Sequence, residues 1–438
     1  RINNMSKKQA IKSLSFRWMG SLLGSGSTFI IYMILARELG PEDFGVFSSA
    51  LSMITVFSLL AGFGVSQVWL KLFGKEGFNA VRWIKPSLHF VIITLLIVTF
   101  LLVLWAIYGP HSETTKQLLL SMLFFIYGYI SVDLVSSKLQ LEEKYSFLAL
   151  WQLLPNLSRL ILIVLSFYVL QVSLVVTDIG LIYASVGMLF TLVSVYQFYM
   201  MQKGRFNLKG HHGIGKINLI LPKMKNIFFE AWPFGMASFF AFIYLQSDII
   251  MVKYISGDIE AGYYNTAFVI LTAILIFPSV LYSKFLMPKY HRWANHDKSK
   301  FYRAYKKGNL IMLFSGGIIM LIVVIFSHLF IPFLFGNEYI LAIPLVNILS
   351  LSLPIYFVAY SVGATLVTNE YMKLKVKLMG IVAVINIILN IILIPIYGAK
   401  GAAISTVIRN TILLILYYIT AENKVFLKIK RNENVELN

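Results

Sequence analysis

Residues 86–108 read PSLHFVIITLLIVTFLLVLWAIY, with no Asp, Glu, Lys or Arg in the run. A helix rises about 1.5 Å per residue, so a run of this length crosses the roughly 30 Å hydrocarbon core of a bilayer. The segment ahead of it carries Lys71, Lys75, Arg82 and Lys85, whereas the gap after it carries only Lys116. The same alternation runs along the whole chain. Apolar spans are expected near 14–36, 43–66, 86–108, 117–137, 148–170, 174–200, 228–252, 262–283, 309–335, 341–367, 378–396 and 401–420. Of the 38 Lys and Arg residues, all but six fall at the N-terminal end, in gaps after even-numbered spans or in the C-terminal tail. The exceptions are Arg37, Lys116, Lys253 and Lys400 in gaps after odd-numbered spans, and Arg159 and Arg409 inside spans. Basic side chains stay on the cytoplasmic side during insertion. The pattern therefore predicts two cytoplasmic termini and an even number of spans.

The composition agrees: 58% hydrophobic, 13% charged, mean hydropathy +0.77. The apolar runs are continuous rather than alternating, which excludes a membrane β-barrel and predicts an all-α polytopic membrane protein of about twelve helices. The first span is too long, and lacks the small-residue site, for a cleavable signal peptide. The net charge of +19 follows membrane topology and sits beside anionic lipid head groups, so no nucleic-acid partner is expected. The basic, aromatic segment Lys289–Lys307 reads as a helix on the membrane surface rather than an RNA-binding stretch. With no Cys, disulfide and thiolate chemistry are excluded.

Two basic gaps, 201–227 and 284–308, interrupt the pattern. The first contains four glycines and reads as a linker, dividing the chain into an N-lobe (1–200), a basic cytoplasmic linker (201–227) and a C-lobe (228–438). A faint repeat supports the division. Gly45, Phe47 and Ala50 match Gly262, Tyr264 and Ala267 at a spacing of 217, and Arg37 and Leu39 match Lys253 and Ile255 at 216. Parallel repeats of this kind build transporters.

No constellation for catalysis is present. There is no G-x-x-x-x-G-K-[ST] loop, no H-E-x-x-H and no G-x-S-x-G. The Gly-rich stretch Gly20–Ser27 (GSLLGSGS) lies inside the first span and suits close helix packing. The His residues are scattered and suggest no metal site. What remains is a set of ionisable residues at membrane depth: Asp133, Arg159, Glu230, Asp248 and Arg409, with Arg17 and Lys253 at span ends. Charges there face a bundle interior or a wet cavity. Arg17, Lys253 and Glu230 can instead snorkel to the interface. Asp248, Arg159 and Arg409 are too deep for that, and either serve function or form an ion pair between helices.

Four segments resemble one family. Leu35–Gly45 (LARELGPEDFG), Asp248–Ala267 (DIIMVKYISGDIEAGYYNTA), Leu334–Leu349 (LFGNEYILAIPLVNIL) and Asn386–Ser405 (NIILNIILIPIYGAKGAAIS) are similar, in order and at matching spans, to the lipid-linked polysaccharide flippases of the multidrug/oligosaccharidyl-lipid/polysaccharide exporter (MOP) superfamily. The resemblance implies two six-helix lobes around a central cavity. It also implies transport of an undecaprenyl-pyrophosphate-linked oligosaccharide from the inner to the outer leaflet of the bacterial plasma membrane by alternating access. Some relatives carry two further helices; their absence here points to an O-antigen or capsule repeat rather than a peptidoglycan precursor. On this reading Arg159, Arg409, Arg17 and Lys253 would bind the anionic substrate, since arginine grips a phosphate through two donors. Asp248 and Asp133 would couple H⁺ or Na⁺, with no other cofactor. Implied partners are membrane lipids and a glycan polymerase with its chain-length machinery. A cation-coupled exporter of small amphiphilic drugs or metabolites is the alternative. A membrane glycosyltransferase or polymerase is disfavoured by the short outer gaps and the missing catalytic constellation.

Overall fold

The structure, a computed structural model, describes residues 7–208, 220–367 and 371–427. Its elements are all helical among the described residues, as the continuous apolar runs require. In chain order they are α1 (Lys7–Gly62), α2 (Val65–Glu76), α3 (Val81–Tyr108), α4 (Glu113–Ser121), α5 (Leu123–Leu141), α6 (Tyr145–Val164), α7 (Val176–Gln202), α8 (Met224–Ser256), α9 (Asp258–Val280), α10 (Met287–His296), α11 (Lys298–Phe335), α12 (Ile343–Ser350), α13 (Ser352–Thr365), α14 (Met372–Tyr397) and α15 (Ala399–Thr420). By length and apolarity 9 described spans can cross a membrane, or 10 if α12 and α13, joined through a 41° bend, form one. The stretch Leu23–Tyr108 counts once in that tally, although its backbone breaks at Gly40 (φ 74°), Phe63 (φ 41°) and Gly64 (φ 77°). Gly40 falls between the first and second spans expected from the sequence, and Phe63 and Gly64 fall near the end of the second. The chain is a multi-pass membrane protein.

Large apolar side chains stand on the outer surfaces, among them Phe100 (62% exposed), Phe314 (64%) and Phe333 (75%). In water such a surface would drive association; on a spanning helix it is the lipid contact.

The chain forms two units, residues 1–31 with 49–239, and residues 32–48 with 240–438. The boundary falls inside α8 rather than in the basic linker. In the first unit, α5 and α7 meet at Gly128 and Gly187, where a Cβ on Gly128 would lie 2.3 Å from the Gly187 Cα. Small residues let membrane helices approach this closely, and dispersion between the backbones replaces the hydrophobic drive that lipid cannot supply. The indole of Trp69 on α2 donates to the Ser87 hydroxyl on α3 (2.7 Å). Lys71 pairs with Glu230 at 2.7 Å, so Glu230 has a charged partner within this unit.

In the second unit, residues 32–48 pack against α9 and the turn after α11. The Tyr339 hydroxyl donates to the Ala36 carbonyl (2.9 Å). A Cβ on Gly45 would lie 1.8 Å from the Asp258 carbonyl oxygen, and one on Gly262 would lie 2.0 Å from that of Pro41. No other residue fits at either position. α14 ends at Gly398 (φ 60°), and the first amide of α15, Ala399 N–H, donates to Glu260 Oε2 of α9 (2.9 Å). A carboxylate here satisfies an orphan N–H and complements the positive end of α15.

Candidate buried polar site around Asp248 and Arg409

Helical spacing carries polar side chains into one place in the second unit. On α8, Tyr244 and Asp248 stand one turn apart. On α14, Asn386 and Asn390 do the same, and on α15 Ser405, Thr406, Arg409 and Asn410 occupy successive turns of one face. All are buried: Asp248 is 1% exposed and Arg409 0%.

Asp248 is saturated with donors. Its Oδ1 accepts from Asn386 Nδ2 (2.6 Å) and Asn390 Nδ2 (2.5 Å). Its Oδ2 accepts from the Tyr264 hydroxyl of α9 (2.9 Å), Thr406 Oγ1 (2.9 Å) and Arg409 Nη1 (3.3 Å). Arg409 is equally engaged. Nη1 also donates to the Tyr244 carbonyl, Nη2 donates to the Tyr356 hydroxyl of α13 (3.3 Å), and Nε donates to Asn410 Oδ1 (3.3 Å). The guanidinium lies 4.4 Å from the centre of the Tyr244 ring. The Tyr244 hydroxyl in turn donates to Asn410 Oδ1 (2.7 Å). A buried charge persists only when paired and hydrogen-bonded, and here both charges are.

The network is not closed. Among the described residues, Asn390 Oδ1 and Asn410 Nδ2 of this network are buried without a hydrogen-bond partner. Asn390 therefore sets a spare amide oxygen on the residue that already grips Asp248. Among the described residues no group of three or more His, Cys, Asp or Glu could hold a metal ion.

The site residues expected from sequence sort as follows. Asp248 and Arg409, assigned there to coupling and to substrate, are joined in one ion pair. Lys253, 7% exposed, does not reach Asp248; it pairs with Asp258 across the turn between α8 and α9. Arg159, 9% exposed, belongs to the first unit. Its Nη1 donates to Asn156 Oδ1 (3.1 Å), and its guanidinium lies 4.6 Å from the centre of the Tyr183 ring and 5.0 Å from that of Phe125. Asp133 is an exposed residue of α5, and Arg17 lies in α1 with its side chain outside the described residues. Asn386, Asn390, Thr406, Tyr244, Tyr264 and Tyr356 were not singled out by sequence as site residues. The one available signal was the N-x-x-x-N spacing in NIILN, which sets two amides on one face of an otherwise apolar helix.

The sequence model of the polysaccharide biosynthesis protein family matches residues 11–290. The capsular polysaccharide biosynthesis protein CapF of Staphylococcus aureus is 22% identical over 411 residues, 93% of this chain and 98% of CapF. Among solved structures, the lipid II flippase MurJ in an inward closed conformation superposes with a TM-score of 0.70 at 18% identity, covering 97% of this chain and 91% of MurJ. A multidrug resistance MATE family transporter of the MOP superfamily, in its inward-facing conformation, gives 0.69 at 14% identity, covering 96% and 99%. These neighbours are flippases and transporters rather than enzymes. By the family match over most of its length, with a fold shared by flippases and transporters of the MOP superfamily, the chain belongs to the polysaccharide biosynthesis protein family.

Proposed function

We propose that the protein is a flippase for a lipid-linked oligosaccharide, carrying an undecaprenyl-pyrophosphate-linked glycan from the inner to the outer leaflet of the bacterial plasma membrane by alternating access, with both termini cytoplasmic. The observation that carries this reading is the family match over residues 11–290. The physics is consistent with it. A glycan has many hydroxyls, each costly to dehydrate without a partner, so it needs a polar route through the bilayer. Arg159 is the basic residue assigned to the pyrophosphate. Its guanidinium lies over the faces of Tyr183 and Phe125, which hold its plane. A glycan polymerase with its chain-length machinery would receive the product on the outer side.

The Asp248–Arg409 pair is assigned to coupling. Arg409 is a tethered cation already on the carboxylate. An H⁺ or Na⁺ arriving at Asp248 competes with it, and Asn390 Oδ1 stands ready as a further oxygen ligand. Release of Arg409 would then alter the contacts of α8, α13 and α15 together. The driving force is adequate: one charge crossing the membrane yields about 2.3 kcal/mol per 100 mV.

The test is a proteoliposome assay with a labelled undecaprenyl-pyrophosphate-linked oligosaccharide, reading the leaflet of the label before and after an ion gradient is imposed. Transfer without lengthening of the glycan supports the flippase. The double variant Asp248→Asn/Arg409→Met, which buries no unpaired charge, should retain glycolipid binding and lose gradient dependence. Unchanged gradient dependence in that variant removes the coupling assignment. The fold fits the MATE-type transporter as well as the flippase, which makes cation-coupled efflux of small amphiphiles the second reading. Drug efflux in the same vesicles without glycolipid transfer would establish it instead.

A further inference from the structure

Within the first unit, α3, α5 and α7 wall a cavity of about 460 Å³. This is in the range of sites that hold one small organic ligand, roughly 300–1,000 Å³. The wall is hydrocarbon, represented by Ile92 and Leu96 on α3, Tyr127 and Ser131 on α5, and Val195 and Tyr199 on α7. Two of its hydroxyls are bound locally: Thr191 Oγ1 donates to the Gly187 carbonyl (2.8 Å), and the Tyr127 hydroxyl accepts from Thr99 (3.4 Å). The body of the groove therefore asks for a chain with no polar groups.

One end differs. There α3 begins while α5 and α7 finish: Gly204, just past α7, lies against Phe78 and Val81, and Lys138, late in α5, donates to Gln197 of α7. Lys203 donates to the hydroxyl of Tyr199, the groove residue one turn before it. Lys85 is exposed and shares a helix face with Leu88 and Ile92, three and seven residues on. Arg205 is exposed just beyond. Acids near this end are Glu142, which holds Lys144 at 2.9 Å and Lys138 at 3.9 Å, Glu76, which holds Arg82 at 3.1 Å, and Glu143, which is exposed. The groove is thus an apolar slot; Lys203 directly follows its lining residue Gln202, Lys85 stands one turn before its lining residue Leu88, and Arg205 is exposed two residues beyond Lys203.

We infer that this groove seats the hydrocarbon chain of a polyprenyl phosphate, with the phosphate held at Lys85 and Lys203. Charge complementarity selects an anionic amphiphile, because lysine binds phosphate as a compact charge with three donors. A slot of this volume takes one segment of a hydrocarbon chain, the part of a polyprenyl tail next to the phosphate, with the rest of the tail left in the bilayer. The assignment rests on the reading of the protein as a transporter of polyprenyl-linked glycan, and deepens it: the carrier lipid is recognised on the first unit through chain and phosphate, independently of the sugar, at a docking position distinct from the one at Arg159.

The test uses the full chain in phosphatidylcholine nanodiscs, titrated with undecaprenyl phosphate and read by native mass spectrometry. Ile92→Trp, at a position 52% exposed on the groove rim, should weaken binding about tenfold by filling the slot. The double variant Lys85→Gln/Lys203→Gln should weaken undecaprenyl phosphate by about tenfold or more through loss of two charge-assisted contacts. It should leave binding of undecaprenol, which lacks the phosphate, within about twofold. Both variants alter exposed positions, and matched melting curves verify folding. Binding like that of the unmodified protein in both variants overturns the assignment, as does equal displacement of the probe by phosphatidylglycerol, which would make the groove a general anionic-lipid surface. No glycan and no transport enter this measurement. Loss of the flippase reading would appear only in the transport assay, and loss of the groove only here.

Discussion

Replacing Arg409 by Met keeps an unbranched side chain in the core of the second unit and removes every donor. Asp248 then remains buried, at 1% exposure, with four neutral donors but no counter-charge. The Tyr244 carbonyl and the Tyr356 hydroxyl also lose a partner. Breaking one side of a buried ion pair costs about 3–5 kcal/mol. The four remaining bonds to Asp248 place Arg409→Met near the lower end, at roughly 3 kcal/mol. Asp248→Asn belongs near the upper end, at roughly 5 kcal/mol, because it strands a guanidinium among neutral acceptors and turns a new amide toward the donors of Asn386 and Asn390. The double variant Asp248→Asn/Arg409→Met buries no charge, and removing both members of such a pair together is often close to neutral. Its stability should lie within about 2 kcal/mol of the unmodified protein, against roughly 8 if the two losses simply added. Unfolding by SDS in mixed micelles, followed by tryptophan fluorescence, measures all four corners of the cycle. If the double variant loses the sum of the single losses, the two residues do not form an ion pair and the site as described is wrong.

Arg159→Ala should cut glycolipid transfer strongly at normal membrane expression, and Arg159→Lys should restore only part of it because the planar fork is lost; full-rate transfer by Arg159→Ala removes that residue from substrate binding. Single cysteines can be introduced without background, since the chain has none. Ser112→Cys and Lys400→Cys should react with an impermeant thiol reagent on intact cells whose outer membrane, where present, has been opened. Lys298→Cys should react only after lysis, and its labelling beforehand would reverse the orientation. Gly262→Leu, whose Cβ would fall 2.0 Å from the Pro41 carbonyl oxygen, should abolish the packing of residues 32–48 on α9. Double electron–electron resonance between spin labels at Glu38 and Ile259 would read this as a longer and broader distance distribution, and an unchanged distribution would refute the steric argument.

The spans were legible because lipid offers the backbone no hydrogen bonds and so imposes long apolar runs. Asp248 and Arg409 were legible one at a time, since a charge at that depth is conspicuous. Their pairing was not. It joins α8 to α15 across 161 residues, and no local rule relates the two. Asn386 and Asn390 were hidden differently, for neutral amides scarcely lower the hydropathy of α14, and only their one-turn spacing betrays a shared face. Asp133 shows the opposite limit. Depth along α5 was readable, but which way its side chain turned depended on the neighbouring helices. The break at Gly40 lies in the gap expected between the first two spans, whereas the boundary between units inside α8 depended on contacts that no composition shift marks.

The contact between Gly45 and Gly262 has a property of its own. Gly40 and Gly257 share one backbone conformation (φ 74°, ψ 174° and φ 99°, ψ 173°), and they stand 217 residues apart, as do Pro41 and Asp258, and Gly45 and Gly262. Pro41 presses its carbonyl on Gly262, and Asp258 presses its own on Gly45. Exchanging the two copies of the repeat therefore maps the contact onto itself, which is the defining relation of an isologous, two-fold interface. Here the two sides are two copies within one chain, residues 40–45 (GPEDFG) and 257–262 (GDIEAG). The two glycines are consequently a single constraint written twice. A side chain added at either one meets the same obstacle, and a change at one copy cannot be relieved by a change at the other, because each glycine accommodates the opposite backbone.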